Sequence, residues 1–297
     1  MKTKSVLGAF LMLANSVGTL SAAPISFNTA LPVHEGGLLF RGQAVWMRMH
    51  DDPSPMGREM DVVAAPTVLV YGATSKLALM GIFPIMDKRL NVRSMGVTRK
   101  ASGLGDIMAI ARQEIFERNW TGQTARGALF AGVKWPTGRS KESDALGLLP
   151  KPVQLGSGSY DPIVGTVWTM QWLSGEVDTD FSYQRNTWAN DFKFGDIITQ
   201  DVSFQYRLWP RTLEAEGVPG YLYGVLEANN IYQAENETAG VKDGNSGGYQ
   251  LFLTPGVQWV TKRAVLEVAA RLPAIQELNG QALKTDYHLI GSIRLWF

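Results

Sequence analysis

The sequence consists largely of short segments in which apolar and polar residues alternate, separated by clusters of Gly, Pro, Asn, Asp and Ser. A period of two residues is typical of β-strands with one apolar and one polar face. Each segment has 9 to 14 residues, which suits a tilted strand crossing a bilayer better than a strand of a soluble sheet. The twelve predicted segments are 38–50, 62–71, 76–86, 105–116, 126–135, 158–170, 176–185, 196–208, 219–230, 248–260, 264–272 and 284–297.

The connections between these segments alternate in length. Odd-numbered connections average about 15 residues and even-numbered connections about 6. An outer-membrane barrel has long extracellular loops and short periplasmic turns, whereas a sandwich or propeller needs no such alternation. We therefore predict an all-β fold, a transmembrane antiparallel up-and-down β-barrel of about 12 strands, with both termini on the periplasmic side.

The first residues have the pattern of an export signal. Two lysines precede an apolar run over 6–14, and small residues follow up to Ala23. We predict a signal peptide over 1–23, with cleavage preferred after Ala22, because a cut after Ala23 would leave proline beside the scissile bond. An N-terminal membrane anchor is the alternative, although the apolar run is short for a span. The rest of the chain divides into a short N-terminal extension, 24–37, and the barrel, 38–297.

The composition excludes several classes of function. With 28 Lys and Arg against 27 Asp and Glu, the chain has no field that would hold a polyanion, so we expect no nucleic-acid partner. The absence of Cys excludes thiol catalysis, Cys-based metal sites and a lipoprotein anchor. We expect export to the bacterial outer membrane, with outer-membrane lipid and the barrel-assembly machinery as partners. No cofactor is implied.

Alternation also separates a lipid face from a lumen face. In the last segment Ile293 and Phe297 share the apolar face, and a terminal aromatic is typical of outer-membrane barrels, so we predict Phe297 as an assembly signal. Segments 62–71 and 219–230 are apolar on both faces, so their lumen residues stay unassigned. The predicted lumen-lining residues are Arg41, Lys76, Asp106, Arg112, Glu114, Phe130, Lys134, Asp178, Asp180, Asp201, Arg207, Phe252, Glu267, Arg271, Asp286, His288, Arg294 and Trp296.

Short motifs at the segment ends resemble a known family. They are Gly103-Leu104-Gly105-Asp106, Lys134-Trp135-Pro136-Thr137-Gly138, Leu155-Gly156-Ser157-Gly158 with Asp161, and Phe83-Pro84 after Tyr71-Gly72. In this order they resemble the putative MetA-pathway phenol-degradation outer-membrane family, from about residue 30 to the C-terminus. The resemblance implies an outer-membrane barrel that takes part in the uptake of aromatic or other hydrophobic compounds. It implies no catalytic set.

The charges of the predicted lumen favour one function and leave alternatives. Seven basic and seven acidic residues, with His288 left aside, argue against a strongly anion-selective pore. Paired charges that stiffen the barrel are one interpretation, and a graded substrate track is the other. We predict a channel for passive passage of small molecules, with aromatic or hydrophobic compounds as one candidate class. The extension is too short for a plug domain, but it is long enough to tuck into the lumen.

Two further functions remain as alternatives to a channel. One is a structural or adhesive barrel without an open pore. The other is an outer-membrane lipid hydrolase, which needs a Ser and a His side by side, whereas His288 and Ser292 lie about 13 Å apart along one strand. We therefore predict no enzyme. His34 and His50 show no metal-ligand spacing, so we predict no metal site.

Overall fold

Twelve long strands in the computed structural model form one antiparallel sheet that closes on itself. The structure describes residues 22–212 and 220–297, so the predicted signal peptide lies outside it except for Ala22 and Ala23. The strands are β1 (Leu38–Met49), β2 (Arg58–Gly72), β3 (Leu77–Val92), β4 in two pieces (Val97–Leu104 and Ile107–Trp120), β5 (Gln123–Trp135), β6 (Asp161–Trp172), β7 (Gly175–Gln184), β8 (Ile197–Trp209), β9 (Tyr221–Gln233), β10 (Gly248–Val260), β11 (Ala264–Leu278) and β12 (Tyr287–Trp296).

The barrel closes where the first strand meets the last. β1 pairs with β12 from Leu39 opposite Trp296 to Arg48 opposite Tyr287. The backbone N–H groups of Leu38 and Phe297 each donate to the carbonyl oxygen of the other residue, at 3.1 and 2.9 Å. No strand edge is left open at this seam, which is the condition for a sheet to cross a lipid bilayer. The predicted transmembrane antiparallel barrel is therefore confirmed.

The two ends of the barrel differ in the length of their connections. At one end, which we call the turn end, the connections that the structure describes in full are 73–76, 121–122, 173–174 and 261–263. At the other, the long-loop end, they are 50–57, 93–96, 136–160, 185–196, 234–247 and 279–286. Short strands lie within the long loops: Ser143–Asp144 with Gly147–Leu148, and Phe192–Lys193 with Asn236–Thr238 and Val241–Asp243.

One long loop predicted from the sequence is instead a hairpin. β3 continues to Val92, a 3-10 turn spans Arg93–Met95, and the first piece of β4 begins at Val97. The extension does not show apolar alternation, because its outward positions carry charged residues. Exposed Arg89 of β3, for example, lies opposite exposed Lys100 of β4 in the register. Apolar alternation marks a strand only while its outer face contacts lipid, so these charged positions concealed the strand.

Apolar side chains cover the outside of the barrel. Each of the twelve strands carries at least one large apolar residue that is exposed, among them Val63 on β2, Trp168 on β6 and Ile293 on β12. Aromatic rings cluster near the turn end, where the Trp209 and Trp259 rings stack with centroids 5.9 Å apart. This is the pattern of a lipid-facing band with an aromatic girdle. No helix among the described residues is long and apolar enough to cross a membrane.

Substitution of an outward residue tests the assignment of faces. Val202 lies mid-strand on β8 and is 40% exposed on the outer face. Val202→Arg is expected to lower the free energy of unfolding by about 2 to 4 kcal/mol, the cost of placing a charge near the bilayer midplane. Urea unfolding in lipid vesicles measures this change, with Val202→Leu as the matched control. Equal stability of the two variants would show that this face does not contact lipid.

Candidate functional site

The inner face of the barrel is apolar on one side and polar on the other. The inner positions of β2 are all apolar from Met60 to Val70, and Met47 of β1 and Met86 of β3 continue this apolar side. The inner positions of β7 to β12 carry most of the buried carboxylates, amides and guanidinium groups. This division explains why segment 62–71 is apolar on both faces: its lumen side is covered by other parts of the chain.

Residues 24–37, the predicted N-terminal extension, run through the lumen, and we call them the strap. Ile25 and Ala30 are at most 1% exposed. Three small apolar clusters hold the strap to separate parts of the wall: Ile25 shares one with Val225, Ala30 one with Val167, and Val33 one with Val68. The strap then leaves the lumen at the turn end, where Gly36 N donates to Gly72 O at 2.8 Å.

A buried carboxylate on β9 binds the first part of the strap. Glu227 is fully buried and accepts from the backbone N–H of Ile25 at 2.6 Å and from the Ser26 hydroxyl at 2.5 Å. Nearby, Arg294 donates to Pro24 O, and Gln258 Nε2 donates to Ala23 O at 2.5 Å. Alternation does not mark Glu227 as a lumen residue, because segment 219–230 is apolar on both faces.

The second part of the strap is bound on the opposite wall. Thr169 Oγ1 of β6 lies 2.9 Å from Thr29 Oγ1 and accepts from Ala30 N at 2.8 Å. Arg112 of β4 donates to the carbonyl oxygens of Thr29 and Leu31. The strap therefore crosses from the β9–β12 wall to the β4–β6 wall, and it is held by side chains at both ends of that crossing.

A second segment fills the lumen from the long-loop end. Loop 136–160, which we call the lid, folds inward, and its residues Leu149, Val153 and Leu155 are at most 3% exposed. They form one apolar cluster with the inner residues of β2 and β3, among them Met60 and Leu90. The apolar side of the wall is thus covered by the lid near one end and by Val33 of the strap near the other.

The motif residues meet where the lid is anchored. Asp106 accepts from Gly138 N at 3.0 Å, from Ser157 N at 2.8 Å and from the Ser157 hydroxyl at 2.7 Å. Lys134 Nζ lies 2.5 Å from Asp161 and 3.8 Å from Asp106. Three motifs that are separate in the sequence therefore form one buried network, which fixes both ends of the lid.

The predicted lumen residues fall into three groups. Some form ion pairs on the inner face: Arg41 and Arg294 with Glu267, Lys134 with Asp106, and Glu114 with Arg126. Others lie on the inner face without an ion pair among the described residues: Arg112, Phe130, Asp178, Asp180, Asp201, Arg207, Phe252, Arg271, His288 and Trp296. Lys76 and Asp286 lie outside the strands, at the rims.

Two of the predicted aromatic residues are covered. Phe252 is 1% exposed and lies beside His288, with ring centroids 5.6 Å apart. Phe130 is partly buried and packs against the cluster that Ala30 of the strap forms with Ala128 and Val167. Neither ring lines an open passage while the strap is in place.

The His and Ser residues of the last strand do not contact each other. The Ser292 hydroxyl donates to Glu267 at 2.6 Å, while His288 lies against Phe252. At the long-loop end His50 Nε2 lies 3.0 Å from Asp61, and its backbone N–H donates to Asp286. Within the described residues, no cluster of three or more His, Asp or Glu has the arrangement of a metal site.

The loops of the long-loop end are tied together by a carboxylate. Asp52 accepts from Arg58 Nη2 at 2.7 Å and from Ser54 N at 3.0 Å, and Arg58 also donates to Gln281 O in another loop. Partial burial raises the pKa of Asp52, but the hydrogen bonds from Arg58 and Ser54 outweigh it and hold that pKa well below its usual range. The carboxylate therefore stays charged and keeps the loops joined at neutral pH.

A family model matches most of the chain, and one solved outer membrane channel has the same fold. The model of the family described as "Putative MetA-pathway of phenol degradation" matches residues 59–274. The COG4313 outer membrane channel from Pseudomonas putida F1 superposes with a TM-score of 0.68 at 14% identity, covering 93% of this chain and 100% of that one. The translocator domain of the autotransporter NalP from Neisseria meningitidis gives a TM-score of 0.44 at 9% identity, covering 90% and 91%. A sequence comparison with curated proteins finds no match.

Substitution of a glycine in the lid tests how the lid is anchored to the wall. A Cβ at Gly156 would overlap the carbonyl oxygen of Gly138 and Oδ1 of Asp106, whereas a Cβ at Gly291 would meet nothing within 4 Å. Gly156→Ala is expected to release the lid and expose Leu155, while Gly291→Ala leaves it in place. Chymotrypsin digestion followed by mass spectrometry measures cleavage after Leu155, which should be severalfold faster in the first variant. Equal cleavage in the two variants would contradict the anchoring.

Proposed function

Because the chain belongs to the family described as the putative MetA-pathway of phenol degradation, we propose that it is an outer-membrane channel for passive passage of small molecules. The observation that carries this proposal is the filling of the lumen by the strap and the lid, neither of which is part of the wall. Both can move without breaking a hydrogen bond between barrel strands. Movement of these two segments would open a passage through the barrel.

The apolar side of the lumen supports aromatic or hydrophobic compounds as the solutes. Met47, Met60 and Met86 face inward on neighbouring strands and pack around the lid. Methionine side chains are flexible and polarisable, so they adapt to apolar molecules of different shape and contact aromatic rings favourably. When the lid moves outward, this wall offers an apolar molecule a surface that otherwise holds Leu149 and Leu155.

The location and orientation of the channel are part of the same proposal. We place the long-loop end outside the cell and the turn end in the periplasm, after export by the signal peptide and insertion by the barrel-assembly machinery. The similar fold from Pseudomonas putida F1 is described as an outer membrane channel, and we extend that role to this chain. The ion pairs of Lys134 with Asp161 and of Arg294 with Glu267 stiffen the wall. Passage depends instead on the strap and the lid.

A disulfide between the strap and the wall tests the proposal. Asn229 Nδ2 donates to Ser26 Oγ at 2.9 Å, so these side chains are in contact, and the chain has no cysteine of its own. In Ser26→Cys/Asn229→Cys, oxidation is expected to keep the strap in the lumen and to suppress ionic current in planar bilayers. Reduction is expected to restore current, and a phenolic solute is expected to modulate it.

The two single-cysteine variants are the controls, since they lose the hydrogen bond but cannot form the disulfide. Their current should not depend on the reductant. If the double variant conducts equally when oxidised and reduced, the strap does not control passage. If neither the wild type nor the reduced variant conducts, the barrel is structural, which is the alternative function.

A further inference from the structure

A row of inward side chains in register crosses the polar wall at mid-height. Asp180 of β7 is opposite Asp201 of β8, Asp201 is opposite Asn229 of β9, and Asn229 is opposite Phe252 of β10. On the next strand the Arg271 guanidinium lies over the Phe252 ring, 5.7 Å from its centroid. The row therefore has two carboxylates at one end and a guanidinium at the other. The strap touches it from the turn-end side, at Asn229.

Arg271 lies at one end of the row and has no hydrogen-bond acceptor there. It makes no hydrogen bond or ion pair with any residue in the described part of the chain, and its Nε is buried without a partner. In contrast, Arg126 contacts both Glu114 and Glu117, at 2.6 and 2.9 Å. A buried N–H without an acceptor is costly, because it has lost its hydrogen bond to water and the Phe252 ring does not replace it. An acceptor supplied by a molecule in the lumen would remove that cost.

The Asp180 and Asp201 carboxylates form the other end of the row, where no cationic side chain pairs with them among the described residues. Like charges directly opposite each other on one face of a sheet repel, and neither carboxylate forms an ion pair within the described residues. Asp201 accepts from Asn229 Nδ2 at 2.9 Å, but Asp180 accepts no hydrogen bond from the residues described. Asn229 donates to Asp201 and lies opposite Phe252, and the Arg271 guanidinium lies over the Phe252 ring, so both ends of the row face the same part of the lumen.

We propose that Arg271 and the Asp180–Asp201 pair form a recognition site for a small aromatic acid that carries a hydroxyl group. The solute's carboxylate binds the guanidinium, which presents paired N–H donors in the geometry that carboxylates accept. Its hydroxyl group donates to Asp180 or Asp201. The acidic pair repels the solute's carboxylate from its own end, so the solute binds in one orientation. The aromatic part of this inference rests on the proposed function, and the two charged ends come from the row itself.

Three probes separate the contributions of the two ends. 4-Hydroxybenzoate carries both groups, benzoate lacks the hydroxyl group, and phenol lacks the carboxylate. Isothermal titration calorimetry of the full chain in detergent is expected to give the tightest binding for 4-hydroxybenzoate. Arg271→Gln should weaken 4-hydroxybenzoate by about tenfold or more, the usual effect of losing a charged hydrogen-bond partner. Asp180→Asn should reduce the preference for 4-hydroxybenzoate over benzoate.

Arg126→Gln is the matched control, because it removes an inward arginine that already has two carboxylate partners. It should leave the dissociation constant unchanged. Arg271→Lys retains the positive charge, so it should retain part of the affinity for 4-hydroxybenzoate. If Arg271→Gln does not fold, the affinity of the Lys variant is measured in its place. Heat-modifiable migration on gels checks the fold of each variant.

Equal dissociation constants for the wild type and Arg271→Gln would overturn this proposal, and so would the absence of 4-hydroxybenzoate binding by the wild type. Neither result would contradict the proposed channel function. That function is tested by the disulfide experiment on the strap, which measures ionic current and not binding. Conversely, a barrel that never conducts but binds 4-hydroxybenzoate through Arg271 would retain the site and lose the channel.

Discussion

The hydrogen bonds that join β1 to β12 are the constraint on which the rest of the molecule depends. In lipid a backbone N–H or C=O without a partner costs several kcal/mol, so a sheet can cross the membrane only if its two edges pair. Once the wall is closed, alternation assigns each residue to lipid or to lumen. The outer face is then apolar where it contacts lipid, and most of the buried polar groups lie on the inner face. Function has to be sought there.

The inner face is organised around two segments that the wall encloses. Apolar inner residues such as Val62 and Val68 occur where the lid and the strap cover them, and polar ones such as Glu227 occur where the strap supplies backbone donors. The wall and its contents therefore have complementary chemistry. Contacts of this kind are individually modest, because most are single hydrogen bonds or small apolar patches. They can hold a segment in place and still let it leave.

Local patterning predicts the barrel far better than it predicts the contents of the lumen. The period of two residues gave twelve strands and placed Arg294 and His288 on the inner face, because lipid contact imposes that period. It failed at the hairpin around Arg93, where the strands leave the apolar band. It also missed Glu227, which lies in a segment without alternation. The partners of Glu227 are some 200 residues away in the strap, and no local pattern encodes a contact of that range.

The central claim is that the strap is the movable element of a channel and that Glu227 holds it. Single-channel recording in planar bilayers of the wild type and of Glu227→Ala tests this claim most directly. The substitution removes the acceptor for Ile25 N and for the Ser26 hydroxyl, and it leaves every backbone hydrogen bond between barrel strands in place. It also removes the acceptor of the Ser203 hydroxyl on β8, so Ser203→Ala is the control for that contact. The account predicts longer and more frequent openings in the variant. Identical open times and conductance in the two proteins would contradict it.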